Sequence, residues 1–149
     1  MKHGRKLSIG ALVTVVLALT LALLAASGQG ALAEDNTIPV KIDVTPDIAN
    51  NVIRVRPWVM VEVAILTTQD FDAAQVDPGS VVFGGAPAKF PDLEDVDGDL
   101  DLDLLMLFSA DEMVDLDGDS TKATLTGVTL DGTPIEGTAN VKIKVTGKK

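Results

Sequence analysis

Apolar and polar residues alternate in three short stretches of the chain. They are Ile38-Pro39-Val40-Lys41-Ile42-Asp43-Val44, Val59-Met60-Val61-Glu62-Val63-Ala64-Ile65 and Val141-Lys142-Ile143-Lys144-Val145. A period of two places every second side chain on one face, so each stretch predicts a half-buried strand. Ser80-Val81-Val82-Phe83 predicts a short strand after the turn Asp77-Pro78-Gly79. Residues 102–108 are almost wholly apolar, which predicts a central strand covered on both faces. Residues 123–130 run into Asp131-Gly132, a hairpin signal, with the return strand starting near Ile135. Only residues 70–75 invite a short helical turn, and no stretch keeps a helical apolar spacing over three turns. About seven short strands parted by Gly, Pro and Asp turns predict an all-β domain. The expected form is a two-sheet antiparallel sandwich of immunoglobulin-like character. The chain has no Cys and no Tyr, so neither the disulfide nor the tyrosine corner of true immunoglobulin domains can be present.

The first 33 residues follow another logic. Lys2, Arg5 and Lys6 precede an uncharged apolar run over 7–26, and Ala31-Leu32-Ala33 supplies the small-x-small pattern of a signal peptidase site. Residues 1–33 are therefore read as a signal peptide and 34–149 as one exported domain, secreted or held at the cell surface. The competing reading is an uncleaved membrane anchor, because the run is long enough to span a bilayer.

Removing the leader changes the charge. All 22 Asp and Glu lie in 34–149 against nine Lys and Arg, a net charge of −13. Such a domain repels nucleic acid phosphates and anionic lipid, and attracts cations. Without disulfides, it needs a sufficient core, a metal, or both.

Acid is concentrated over 92–119, where no Lys or Arg occurs. At its centre, Asp95, Asp97, Asp99, Asp101 and Asp103 fall at positions 1, 3, 5, 7 and 9 of a loop containing Gly98. Calcium takes six to eight hard oxygen ligands, and carboxylates at this spacing can curl around one ion. Positions 6 and 12, which an EF-hand fills with Gly and Glu, are Leu100 and Met106, so the loop (92–103) is not an EF-hand. A positive φ at Leu100 would cost about 1 kcal/mol or more. The alternative is a strand with one wet acidic face, but carboxylates about 7 Å apart repel without a counter-ion. Asp115, Asp117 and Asp119 (loop 115–119) repeat the first five positions and form a second candidate site, with an ordinary acidic turn as the alternative. A seven-residue strand between the loops spans roughly 23 Å, which separates the two sites.

Asp43, Asp47, Asn50 and Asn51 could add oxygen ligands near Pro46, although such residues commonly satisfy their own backbone. Trp58, the one tryptophan, is either a core or sheet-edge residue or a sugar-stacking platform. The latter would make the domain a carbohydrate-binding module. The only histidine is His3, in the leader, which removes His-dependent triads, thiol nucleophiles and His/Cys zinc sites. A glycosidase-type carboxylate pair is the remaining catalytic option, and the expectation is that the chain is not an enzyme.

Five blocks occur in order: Ile42-Asp43-Val44-Thr45-Pro46; Val63-Ala64-Ile65-Leu66; Phe71-Asp72 through Val76-Asp77 to Val81-Val82-Phe83-Gly84; Glu94-Asp95-Val96-Asp97-Gly98-Asp99 through Asp103-Leu104; and Ala123-Thr124-Leu125-Thr126-Gly127 with Asp131-Gly132-Thr133-Pro134-Ile135-Glu136-Gly137. Together they resemble a family of secreted bacterial and archaeal β-sandwich domains of unknown function. The resemblance implies a calcium-type loop at Asp95, Asp97, Asp99 and Asp103, and an extracellular or surface partner. It implies no activity. The chain departs from the pattern at Leu100, where that family usually has Gly.

Overall fold

The chain divides into two units at Asn36. The computed structural model describes residues 36–145, all in the second unit. The expected signal peptide and its alternative as an anchor lie outside the described residues.

Among the described residues there are eleven strands, three 3-10 turns and no α-helix. The strands are β1 (Ile38–Pro39), β2 (Lys41–Val44), β3 (Val52–Val55), β4 (Met60–Leu66), β5 (Val82–Phe83), β6 (Ala86–Pro87), β7 (Lys89–Glu94), β8 (Asp103–Ser109), β9 (Lys122–Val128), β10 (Pro134–Asn140) and β11 (Lys142–Val145). They form a five-stranded sheet in the order β1-β10-β9-β5-β6, a four-stranded sheet β2-β4-β8-β7 and a two-stranded sheet β11-β3.

The all-β class is as expected; the antiparallel two-sheet immunoglobulin form is corrected. There are three sheets, and β1 runs parallel to β10 and β11 parallel to β3. The cause is local. The single strand expected over 38–44 breaks at Val40, beside Pro39, which has no N–H to give a ladder. Val40 N–H still bonds Glu136 O in the first sheet at 2.8 Å. From Lys41 on, the chain pairs with β4 in the second sheet. Gly137 marks the crossing: a Cβ there would stand 2.6 Å from Ile42 Cγ2 and 3.1 Å from Val40 O.

Alternation fixes which faces meet. Val61, Val63 and Ile65 of β4, with Leu104, Met106 and Phe108 of β8, are buried on the inner face of the four-stranded sheet. Phe83, Leu125, Ile135 and Ala139 face them from the five-stranded sheet. Phe83 and Phe108 meet at 5.5 Å between ring centroids, tilted by 55°. Ile53 and Ile143, register partners on β3 and β11, extend the same core. Strand β8 is central between β4 and β7, as expected, but only one of its faces is fully covered: Leu105 and Leu107 are half-buried.

Turn chemistry follows the sequence. Asp72 and Asp77 accept the N–H groups of Ala74 and Gly79 and cap the first two 3-10 turns. Asp131 accepts from Thr133 N–H and from the Thr129 and Thr133 hydroxyls in the β9–β10 connection, which also holds its carboxyl below the ordinary range. Three strands have no sequence forerunner, among them the two-residue β6. Strand β7 contains Pro91 and a bulge between Lys89 and Asp92, and its residues are mostly exposed. Strand β3 is four residues long and pairs with the distant β11. Trp58 is 95% exposed in the turn after β3, so it is not a core residue.

The crossing point yields a test. Gly137→Ala should destabilise the domain by about 1–3 kcal/mol, because the methyl group meets Ile42 and backbone rather than a movable side-chain tip. Urea denaturation followed by circular dichroism measures it, and an unchanged midpoint would contradict the tight crossing.

Candidate metal centre

The acidic loop is the tip of a hairpin. Strands β7 and β8 are antiparallel, with Glu94 opposite Asp103 as their last pair. The connection is therefore residues 95–102, shorter than the 92–103 expected, since 92–94 and 103 belong to strands.

Aspartate carboxylates fold the tip by accepting backbone hydrogens. Asp95 takes Gly98 N–H at 2.7 Å and Leu100 N–H at 3.2 Å. Asp97 takes Asp99 N–H at 3.2 Å, and Asp99 takes Asp101 N–H at 3.1 Å. Short polar side chains make such local bonds readily. Gly98 has φ +83°, which glycine adopts at little cost. Leu100 has φ +77°, the strained value anticipated at this position, with its side chain 91% exposed.

Three carboxylates converge as a result. Asp95, Asp97 and Asp99 each offer an oxygen, and the three lie within 4.8 Å of one another. All three side chains are exposed, so the point where they meet is open to solvent. The described residues hold no other such group of three or more. The donor set is hard oxygen with no nitrogen or sulfur, which suits a divalent cation such as calcium.

Asp101 and Asp103 stand apart from the three. Asp101 is half-buried, and its Oδ1 is enclosed without a hydrogen-bond partner. Burial pushes its carboxyl up to about 6, helped by its hydrogen bond with Asp99 and by the charges of Asp99, Asp103 and Asp97. Asp97 is also raised, chiefly by desolvation. Asp99 is lowered, first by the Asp101 N–H that it accepts. Asp103 is fully buried. Its two oxygens accept Thr67 N–H at 2.8 Å and Val96 N–H at 3.0 Å, so it ties the tip to the end of β4.

Thr67 completes that tie, and no sequence signal singled it out. Its hydroxyl donates to Leu102 O at 2.7 Å and accepts from Ala73 N–H at 3.0 Å. Met106, at loop position 12, is fully buried in the core.

The second loop is not gathered in the same way. Asp117 accepts Asp119 N–H at 3.0 Å and the Ser120 hydroxyl at 2.8 Å, and these bonds hold its carboxyl below the usual range. Asp115 and Asp119 do not converge with it into a group of three. This loop follows β8 by way of the 3-10 turn Ala110–Glu112, whereas the first precedes β8. The two lie at opposite ends of that strand, as expected. Asn50 and Asn51 have φ of +71° and +47°, and the Asn51 amide donates to Asn140 O at 3.0 Å. Asp47 lines a hollow of about 230 Å³ with Glu62, Glu94 and Asp95.

Two measurements test these assignments. Asp103→Ala leaves two half-buried N–H groups without their acceptor and should destabilise the domain by about 1–3 kcal/mol, read by denaturant titration; a loss near zero would contradict the tie. Asp101 gives a pH signature in the metal-free protein. Its folded carboxyl keeps its proton to about pH 6, whereas the unfolded one releases it near 3.9. Between about pH 4 and 6 the folded state thus binds more protons, and this residue's contribution to stability falls as pH rises. Asp101→Asn, measured in chelator, should match wild type near pH 4, gain on it up to about pH 6 and hold that advantage above. An advantage that did not vary with pH would refute the assignment.

Comparison of the chain with protein-family models, with curated proteins and with solved structures finds no match, so the resemblance rests on its motifs alone and no family is assigned.

Proposed function

We propose that the chain is an exported, calcium-stabilised β-domain with a structural, adhesive or binding role rather than a catalytic one. The observation that carries this reading is the convergence of Asp95, Asp97 and Asp99 within 4.8 Å at the tip of a hairpin. No cationic side chain occurs anywhere in 92–119 to neutralise them. Mutual repulsion of three anions at that range is relieved by a divalent ion at their centre. Support for export is the leader pattern of Lys2, Arg5 and Lys6, the apolar run and Ala31-Leu32-Ala33. The absence of His and Cys from 34–149 supports the non-catalytic role.

The strained Leu100 and the open position of the group favour modest affinity, in the range of about 10⁻⁴–10⁻³ M that extracellular calcium modules use. Calcium at about 10 mM, roughly ten- to a hundredfold over such a Kd, stabilises the folded state by about 1.4–2.7 kcal/mol, which is a rise of several degrees in Tm. Calcium at that concentration should therefore raise the melting temperature of the purified protein, and titration calorimetry should show one principal site. The Asp97→Ala/Asp99→Ala double variant should lose both effects. A wild-type melting curve indifferent to calcium would end this reading.

A further inference from the structure

The acidic chain carries one basic face. Four of the seven Lys and Arg among the described residues, Arg54, Arg56, Lys142 and Lys144, lie on or just after β3 and β11. No Asp or Glu occurs over 48–61 or over 137–149. In the parallel pairing, Lys144 is the register partner of Arg54, and Lys142 of Val52. Ile53 and Ile143 point into the core, so Arg54, Lys142 and Lys144 share the outer, exposed face. Neighbouring strands are about 4.8 Å apart and alternate residues about 6.6 Å apart along a strand, which sets the cations in two short rows. Like charges directly opposite one another weaken a sheet. Even so, the only ion pair among the described residues is Lys89–Glu112, which involves none of the four. The acidic turn at Gly118 borders Val145 at the end of β11 without pairing with them.

A second, independent feature stands in the turn that follows β3. Val59 N–H bonds Arg56 O at 3.4 Å and closes a turn with Pro57 second and Trp58 third. Trp58 has φ +68°, a value that turns of this kind reserve for Gly or Asn. A bulky aromatic therefore occupies a strained position while burying almost nothing, being 95% exposed. Residues held in strained backbone conformations cluster at ligand-binding and active sites.

From these two features we infer that the outer face of the β3–β11 pair, with Trp58 in the turn after β3, binds a linear polysaccharide carrying carboxylate or sulfate groups. The rows of cations face anions separated by a sugar ring, and the indole offers a flat surface to the apolar face of that ring. Nucleic acid fits less well. Its dense phosphate charge meets repulsion from the acidic remainder of the domain and finds only four cations to offset it. An anionic membrane brings the same repulsion over a wider area. The site is remote in sequence from the acidic hairpin and does not use calcium, so the two readings stand or fall separately.

The test uses the full chain in chelator at low salt, where charges act over more than about 10 Å. Biolayer interferometry is run against immobilised polygalacturonate, dextran sulfate and neutral dextran. Binding to at least one of the two polyanions, little to neutral dextran, and decline with added salt are expected; which polyanion binds separates carboxylate from sulfate. Arg54→Ser/Lys144→Ser should abolish binding. Trp58→Asn should weaken it about tenfold or more, as aromatic anchors do, while melting no lower than wild type because Asn accepts the turn. Absence of binding to both polyanions, unchanged affinity in Trp58→Asn, or tighter binding to single-stranded DNA or phosphatidylserine vesicles than to either glycan would overturn the proposal.

Discussion

The contact between Phe83 and Phe108 joins the two larger sheets, and the arrangement of the domain depends on it. Phe108 lies on β8, whose alternate residues Leu104, Met106 and Phe108 drive that strand into the middle of the core. A strand held so firmly on one face has its register set on both sides, by β4 and by β7. Its two ends then become fixed points. The acidic hairpin tip enters at Asp103, and the 3-10 turn leading to the second acidic loop leaves after Ser109.

Asp103 converts that register into a shaped loop. On β8 it falls on the face opposite the core residues, yet it is fully buried, because the hairpin tip closes over it. Its carboxylate holds Val96 of the tip and Thr67 at the end of β4 at once, and the Thr67 hydroxyl holds Leu102 and Ala73. With the base of the tip pinned at these points, Asp95, Asp97 and Asp99 accept backbone N–H groups within the tip. In doing so they bring one oxygen each to within 4.8 Å of the others. The strain at Leu100 and the raised carboxyl of Asp101 are the conformational and electrostatic costs of that shape.

The charge distribution of the domain is divided rather than uniform. Acid collects at the connections flanking β8, while the cations collect on β3 and β11, a parallel pair made from segments about ninety residues apart. Net charge alone predicts a surface that repels every polyanion. The pairing of two acid-free segments creates a local exception, with an exposed indole in the turn after β3.

How much of this was legible in the sequence varies by element. Alternation placed β4 and β11 to within a residue, and Asp131-Gly132 placed the β9–β10 hairpin and the start of β10, because side-chain period and turn chemistry are local properties. The alternate spacing of Asp95, Asp97, Asp99, Asp101 and Asp103 predicted five ligands, and only the first three bring their carboxylates together. Strand β7 was hidden by Pro91 and by its exposure, which erases the apolar period. The parallel pairings and the third sheet depend on partners far along the chain, and no local pattern encodes them. The same limit explains Asp103 and Trp58. Whether a carboxylate serves an ion or two backbone N–H groups, and whether a tryptophan is buried or bare, is decided by what the rest of the chain packs against it.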